Sequence, residues 1–280
     1  MSGTVSKKER FFAAFDRLGG MVCPVCGGAL RRSGDSLVCG SGHCLNVSRK
    51  GSVNLLPDSR ATDYPAALFA ARGRVLAAGL YEPVAEAVEA LLPEGPQRIL
   101  DAGCGEGWYL DRLLTAHPDW AGAGVDISPD AIRLATDHPC AALWCVGDLR
   151  RLPFAAGCFT AVLDILTPAG YGAFARVLAP EGLLIKVYPG AGYLREIRAA
   201  RGLPDYEEGR VEAWLKRSAS VTAERHVLRS VPVTPEIWRD LVRMTPMNRG
   251  LTEDELEALA AAPAPSVTLD LHAAAARPDR

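Results

Sequence analysis

The apolar pattern of this chain changes period twice. From 6 to 18, Phe11, Phe12, Ala14, Phe15 and Leu18 recur at roughly helical spacing, which predicts a short amphipathic helix packed on another part of the molecule. Gly19-Gly20 ends it. From 23 to about 51 no period holds, and turn signals at Gly27-Gly28, Ser33-Gly34-Asp35 and Gly40-Ser41-Gly42 cut the chain into short pieces. A polar connector at 55–63 follows, and 64–92 reads mainly as helix with a break at Gly79 and Pro83. From Gln97 apolar runs of strand length alternate with helical stretches. Strands are predicted at 98–101, 122–127, 142–146, 160–165 and 183–188, with helices at 107–117, 129–137 and 172–178. That alternation predicts a parallel sheet with crossover helices, an α/β fold. The stretches 226–233 and 266–272 alternate as closing antiparallel strands, and the alanines of 260–265 and 273–276 are a mild compositional bias. Four segments result: an N-terminal amphipathic helix (1–22), a turn-rich module (23–56), a helical connector (57–96) and the α/β domain (97–280).

Composition adds bounds. At 280 residues the chain exceeds the usual single domain, and 49% hydrophobic residues supply a large core. The formal net charge of −2 excludes a protein that binds nucleic acid by bulk charge, so any RNA contact must come from local basic patches. Arg31-Arg32, Arg49-Lys50 and Arg72 with Arg74 are candidates for such a stripe. Of the eight cysteines, Cys104, Cys140, Cys145 and Cys158 are scattered through apolar stretches, a usage that fits a reducing cytoplasm better than a disulfide framework. The charged start of the chain is not followed by an apolar signal core, and no apolar run reaches membrane-spanning length. A soluble, cytoplasmic protein is expected.

The turn-rich module carries the first candidate chemistry. Cys23-x2-Cys26-x12-Cys39-x3-His43 has the spacing of two knuckles converging on one tetrahedral Zn2+, with all four positions filled by protein and hence a structural role. Cys44 competes with His43 as the fourth ligand. No recognition helix of a DNA-reading finger follows.

The second is Asp101-Ala-Gly103-Cys-Gly105-Glu106-Gly107, a glycine turn between a predicted strand and a predicted helix. The glycines allow a tight turn and close approach of a ligand to the backbone. The next strand ends in Asp126, an acid suited to two ribose hydroxyls, and the third leads into Gly147-Asp148, suited to an adenine edge. A nicotinamide or flavin dinucleotide site shares these parts, but its fingerprint is the longer Gly-x-Gly-x-x-Gly. The Gly-x-Gly-x-Gly form, with Asp126-Ile-Ser128-Pro129 and Arg151-Leu152-Pro153-Phe154, resembles the S-adenosylmethionine methyltransferases. That resemblance implies a Rossmann-like class I domain, with Asp101 by the methionine end of the donor and Asp126 on its ribose.

Taken together, the metal pattern, 49–56, Ala71-Arg72-Gly-Arg74-Val-Leu-Ala-Ala-Gly79-Leu-Tyr81-Glu-Pro83, the glycine loop, Pro180-Glu-Gly182, Pro189-Gly190 and Arg243-Met244-Thr245-Pro246 resemble the bacterial 23S rRNA guanine-N1 methyltransferases of the RlmA and TlrB type. The resemblance covers about 23–249. It implies Cys23, Cys26, Cys39 and His43 as zinc ligands, and Tyr81, Gly105 and Glu106 as donor contacts. Tyr193 falls where the family often has a donor-contacting histidine. It further implies methylation of N1 of one guanine in a hairpin of 23S rRNA, a homodimer whose cleft suits that hairpin, and an effect on macrolide sensitivity. The chain departs from the family at Leu45-Asn46, Ser52 and Met247-Asn248-Arg249. Guanine N1 must lose its proton, and Asp164 at the end of the fourth strand is the candidate acceptor. Trp108 and Tyr109 are candidates for the base pocket; Trp144, Trp214 and Trp238 are expected in the core or at a subunit contact. A small-molecule methyltransferase, or an RNA-binding assembly factor without catalysis, are the competing functions.

Overall fold

The computed structural model describes residues 5–56, 65–204, 206, 207 and 209–279; most of the connector predicted at 55–63 lies outside them. Helix α1 (Lys7–Leu18) starts at a capping box in which Ser6 and Glu9 each accept the other's amide. Three short strands, β1 (Leu30–Ser33), β2 (Ser36–Cys39) and β3 (Cys44–Asn46), form a small antiparallel sheet around the metal-type residues. Strand β4 (Ser52–Asn54) follows, then helices α2 (Ala66–Ala77) and α3 (Glu82–Glu89). They are separated at Gly79, whose φ of 80° ends the first, and Pro83 sits in the first turn of the second.

The α/β part runs β5 (Arg98–Ala102), α4 (Trp108–Ala116), β6 (Ala121–Asp126), α5 (Pro129–Ala135), β7 (Leu143–Val146), β8 (Phe159–Ile165), α6 (Tyr171–Val177), β9 (Leu178–Pro189), α7 (Arg195–Ala200), α8 (Arg210–Ser218), β10 (Ala219–Pro232), α9 (Pro235–Met244), α10 (Glu253–Ala260) and β11 (Ser266–Pro278). Eight strands join in the order β10-β11-β9-β8-β5-β6-β7-β4. Strands β4 to β9 are parallel, while β11 is antiparallel to both neighbours. From β5 the chain winds one way through β6 and β7, then returns to β8 and winds the other way. A crevice opens at that reversal, beyond the carboxyl ends of β5 and β8.

Two apolar layers clothe the sheet. Helices α3, α4, α5 and α9 cover one face, where Trp238, Leu110 and Val84 meet Ile99, Leu163 and Val187. On the other face the link from β7 to β8 contains only a single turn of 3-10 helix, Leu149–Arg151. The apolar surface of β6 and β7 left there is covered by α1, whose Phe11, Phe12, Phe15 and Leu18 share a cluster with Ala123, Val125 and Leu143. The predicted amphipathic helix thus replaces a crossover helix. Leu37, Cys39 and Val47 of the turn-rich module lie in the same cluster.

Helices α7 to α10, the three strands of the small sheet and two further segments were not foreseen. Strand β4, inside a family-like patch, leaves the small sheet and extends the large one, pairing Val53 with Cys145. The alanine run 273–276 is part of β11, buried between β9 and β10, where small side chains let neighbouring layers close in. Among the described residues no helix is long and apolar enough to cross a membrane.

Candidate metal centre and donor cavity

The sequence around the cysteines folds as two knuckles. In the first, the Gly27 amide donates to Cys23 C=O and the Cys23 amide to Gly28 C=O, each at 2.8 Å, with Gly27 at φ 72°. In the second, the Gly42 amide donates to Cys39 C=O at 3.0 Å with Gly42 at φ 84°. These turns bring the ligand atoms of Cys23, Cys26, Cys39 and His43 within 4.8 Å of one another. Cys26 Sγ lies 3.7 Å from Cys39 Sγ, and His43 Nδ1 lies 3.4 Å from Cys39 Sγ. A tetrahedron with Zn–S bonds of about 2.3 Å has edges of about 3.8 Å, so the four groups fit one Zn2+. The Gly28 amide, with help from His43, draws the Cys26 thiol down to about 6, toward the thiolate a metal requires. Cys44 is exposed, outside this cluster, with its sulfur near Asn46 Oδ1.

The glycine loop lies between β5 and α4. Gly103, Gly105 and Gly107 all have positive φ, at 78°, 57° and 85°. Asp126, at the end of β6, binds the loop from below: one carboxylate oxygen accepts the Gly105 amide at 2.9 Å and the other accepts the Ser128 amide at 2.8 Å. Each oxygen keeps a further lone pair. A Cβ on Gly107 would stand 2.6 Å from the Trp144 ring, and the left-handed backbone adds strain. Gly107→Ala is therefore expected to cost about 1–2 kcal/mol in backbone energy and about 1–3 kcal/mol in overpacking. A fall in the denaturation midpoint at unchanged slope checks it.

Beside the loop a cavity of about 370 Å3 opens at the sheet's reversal. Arg72 and Leu76 of α2, Tyr81, Tyr109, Tyr193, Thr167, Lys186, Tyr188 and the segment 244–247 all line it. The Tyr81 and Tyr193 hydroxyls are hydrogen-bonded at 2.7 Å. Leu166 and Leu194, also in its wall, are the two non-glycine residues at positive φ among the described residues, at 55° and 49°. Strained backbone of this kind collects at sites where geometry matters more than stability.

The charged side chains in the cavity wall are Arg72 and Lys186, and the carboxylates of Asp101, Glu106 and Asp126 stand outside that wall, beside Arg72. Asp101 is buried, and that burial pushes its carboxyl up to about 7 against the pull of Arg72, with Glu106 and Asp126 adding repulsion. Burial likewise raises Glu106 and Asp126 above the usual carboxylate range. Arg72 Nε stands 3.2 Å from Glu106 Oε2. Arg72 Nε, Asp101 Oδ2, Glu106 Oε2 and Thr245 Oγ1 are buried and have no hydrogen-bond partner among the described residues. Two carboxylate acceptors and a guanidinium donor suit an amino acid's ammonium and carboxylate.

Several expectations move. Arg72 belongs to this cavity and not to a surface stripe, while Arg74 bonds twice to Asp240, at 2.7 and 2.5 Å, tying α2 to α9. Arg31, Arg49 and Lys50 are exposed, and Arg32 stacks over the Phe12 ring at 3.9 Å. Asp148 turns its carboxylate to Arg150, at 2.7 Å, and caps the 3-10 turn. Asp164 is wholly buried and outside the cavity wall; one oxygen accepts Lys186 Nζ at 2.9 Å. Lys186 also donates to Thr167 C=O at 2.6 Å. Asp164 thus holds Lys186 with one oxygen, while its other oxygen, Oδ1, is buried with no hydrogen-bond partner among the described residues. Tyr109 reaches the cavity and Trp108 packs edge-on against it at 4.9 Å. Trp144 and Trp238 are core, whereas Trp214 is 55% exposed. Lys186 and Thr245 went unremarked as site residues. A lysine inside the apolar run of β9 is the signal that pointed to the first.

A family model described as a methyltransferase domain matches residues 99–182, and one described as the N-terminal part of RlmA matches residues 21–60. The chain is 39% identical over 189 residues to YxjB of Bacillus subtilis (strain 168), provisionally named a 23S rRNA (guanine-N1)-methyltransferase, covering 63% of this chain and 66% of that protein. It is 31% identical to a 23S rRNA (guanine(748)-N1)-methyltransferase of Streptomyces fradiae, over 84% of this chain and 87% of the other. With a protein of Micromonospora griseorubida bearing the same provisional name as YxjB it shares 32% identity, over 85% and 94% of the two chains. Ribbon, glycine loop and full-length likeness agree: the chain belongs to the 23S rRNA (guanine-N1)-methyltransferase family.

Proposed function

We propose that this protein transfers the methyl group of S-adenosylmethionine to N1 of one guanine in a hairpin of 23S rRNA. The observation that carries this reading is the pairing of a closed Cys3His ribbon with a tyrosine-walled cavity, flanked by the carboxylates of the glycine loop, at the reversal of a doubly wound sheet. When bound, the donor supplies a methyl already activated on sulfur, so positioning does much of the work.

Asp101, Glu106 and Arg72 would hold the donor's methionine end, and the free lone pairs of Asp126 its ribose. Ile127, 42% exposed directly after Asp126, offers an apolar face to adenine, whose edge falls to the backbone at Gly147-Asp148. Tyr81 and Tyr193 would contact the donor, and Tyr109 and Met244 wall the space for a guanine drawn out of its stack. The N1 proton would pass to Asp164, the candidate carboxylate, or to water, and its loss places negative charge on guanine O6. Lys186 has three N–H donors, two of them used on Asp164 and Thr167, and the third is available to that charge. The ribbon and its exposed Arg31, Arg49 and Lys50 would grip the hairpin. Homodimerisation, a cytoplasmic location and an effect on macrolide sensitivity are carried by the family likeness.

Methylation of N1 blocks the pairing edge of guanine. Primer extension on unmodified 23S rRNA incubated with protein and donor should therefore stop at one new position. Extension without a new stop rules the reading out.

Asp101 adds a pH signature. Its carboxyl, pushed up to about 7 by burial, is partly protonated near neutrality before the donor arrives. A donor ammonium favours the carboxylate, so binding releases a proton. Affinity should weaken as pH falls below about 7, by up to about tenfold per pH unit, and level off above it. Calorimetry across pH checks the slope, and Asp101→Asn should flatten it.

A further inference from the structure

The last strands of the large sheet assemble a second set of ligating side chains, remote in sequence from the Cys3His ribbon. In the β10–β11 pair His226 lies opposite His272, and His272 in turn lies opposite Tyr188 of β9. Residues two apart on a strand share a face, so Glu224 and His226 of β10 and Asp270 and His272 of β11 form one polar group. The two imidazoles are parallel within 4°, with centroids 4.3 Å apart. His226 Nε2 is 2.7 Å from Asp270 Oδ1, and His272 Nδ1 is 2.9 Å from Glu224 Oε1. Ligand atoms of His226, Asp270 and His272 lie within 4.8 Å of one another. Two ligands on one ion, each at about 2.0–2.2 Å, stand at most about twice that apart. The rings stack in parallel planes, so the half-exposed His226 ring must swing out of the stack for its nitrogen to share an ion with Asp270 and His272. The carboxylates of Asp270 and Glu224, the latter also accepting the Tyr188 hydroxyl at 3.0 Å, carry a charge that one divalent cation balances.

We propose that His226, Asp270 and His272 bind a divalent transition-metal ion, Zn2+ foremost, as a second metal site. Imidazole and carboxylate together suit ions of this class. Unlike the ribbon, the site supplies three protein ligands and keeps positions open. Asp270 also fastens the loop that carries Tyr193 into the donor cavity: its carboxylate accepts the Gly192 amide at 2.7 Å and its C=O the Gly190 amide at 2.8 Å. The ion would therefore sit behind that loop.

The test is calorimetric titration of Zn2+ into the full chain with its ribbon already loaded. One further equivalent should bind in the micromolar range. The double variant His226→Gln, His272→Gln should lose it while keeping the ribbon equivalent and a native circular dichroism spectrum. Substitution with Co2+ reads the sites apart: ribbon cobalt shows thiolate-to-metal charge transfer, and the second equivalent adds only ligand-field bands. The assignment is overturned by saturation at one equivalent, by a second equivalent bound only in the millimolar range, or by one that the double variant retains.

Discussion

Cys39→Ser is expected to strip the ribbon of its zinc and abolish rRNA methylation, while donor binding changes far less. The hydroxyl is a poor ligand, and three remaining groups cannot close the site. Structural zinc contributes about 10–16 kcal/mol to folding in zinc-finger peptides. A module of three short strands has little else to hold it, since β1 buries one of its four residues and β3 none. Zinc content by mass spectrometry should fall by the ribbon's one equivalent, and protease should cut within 21–51. The donor cavity is built from other elements and should persist, although Leu37 and Cys39 share the cluster under α1 and some loss of overall stability will accompany the change. Cys44→Ser is the control, because Cys44 faces Asn46 outside the ligand cluster. It should keep a full equivalent of zinc; loss of zinc there would mean that Cys44 and not His43 is the fourth ligand.

Asp126→Ala should carry the largest effect on donor affinity. Two hydrogen bonds from ribose hydroxyls to this half-buried carboxylate contribute about 1.5–3 kcal/mol each, or about 3–6 kcal/mol together. That corresponds to a loss of about two to four decades in Kd. The same carboxylate holds the Gly105 amide, so the glycine loop loses an anchor as well. Calorimetry with S-adenosylmethionine or S-adenosylhomocysteine measures it. Asp148→Ala should cost much less, because that carboxylate is engaged by Arg150. Equal losses in the two variants would place the ribose elsewhere.

Strands β5 to β8 were legible because strands buried on both faces read as continuous apolar runs. Their order along the chain, with a glycine turn after the first and an acid after the second, was enough to place Asp101, Gly105 and Asp126 around one crevice. The ribbon was legible from cysteine spacing alone. By contrast, β11 continues through four alanines that carry no period, and nothing local distinguishes a strand so buried from a helix or a linker. Helices α9 and α10 announce themselves at Thr234-Pro235 and at the capping box of Thr252 and Glu255, but both lie in charge-rich stretches whose apolar stripe is narrow. Long-range pairing was the harder part. That Arg72 meets Glu106, that Asp164 meets Lys186, and that Arg74 bonds to Asp240 depend on how elements distant in sequence pack. Residue types there named a chemistry; burial and partners assigned the role.

The most direct measurement is incubation of the full chain with methyl-labelled S-adenosylmethionine and unmodified 23S rRNA, followed by nuclease digestion and mass spectrometry. N1-methylguanine at a single position, absent with Asp126→Ala, is the expected result. Label on another atom or another base, or no label on rRNA while donor binding is intact, would contradict it.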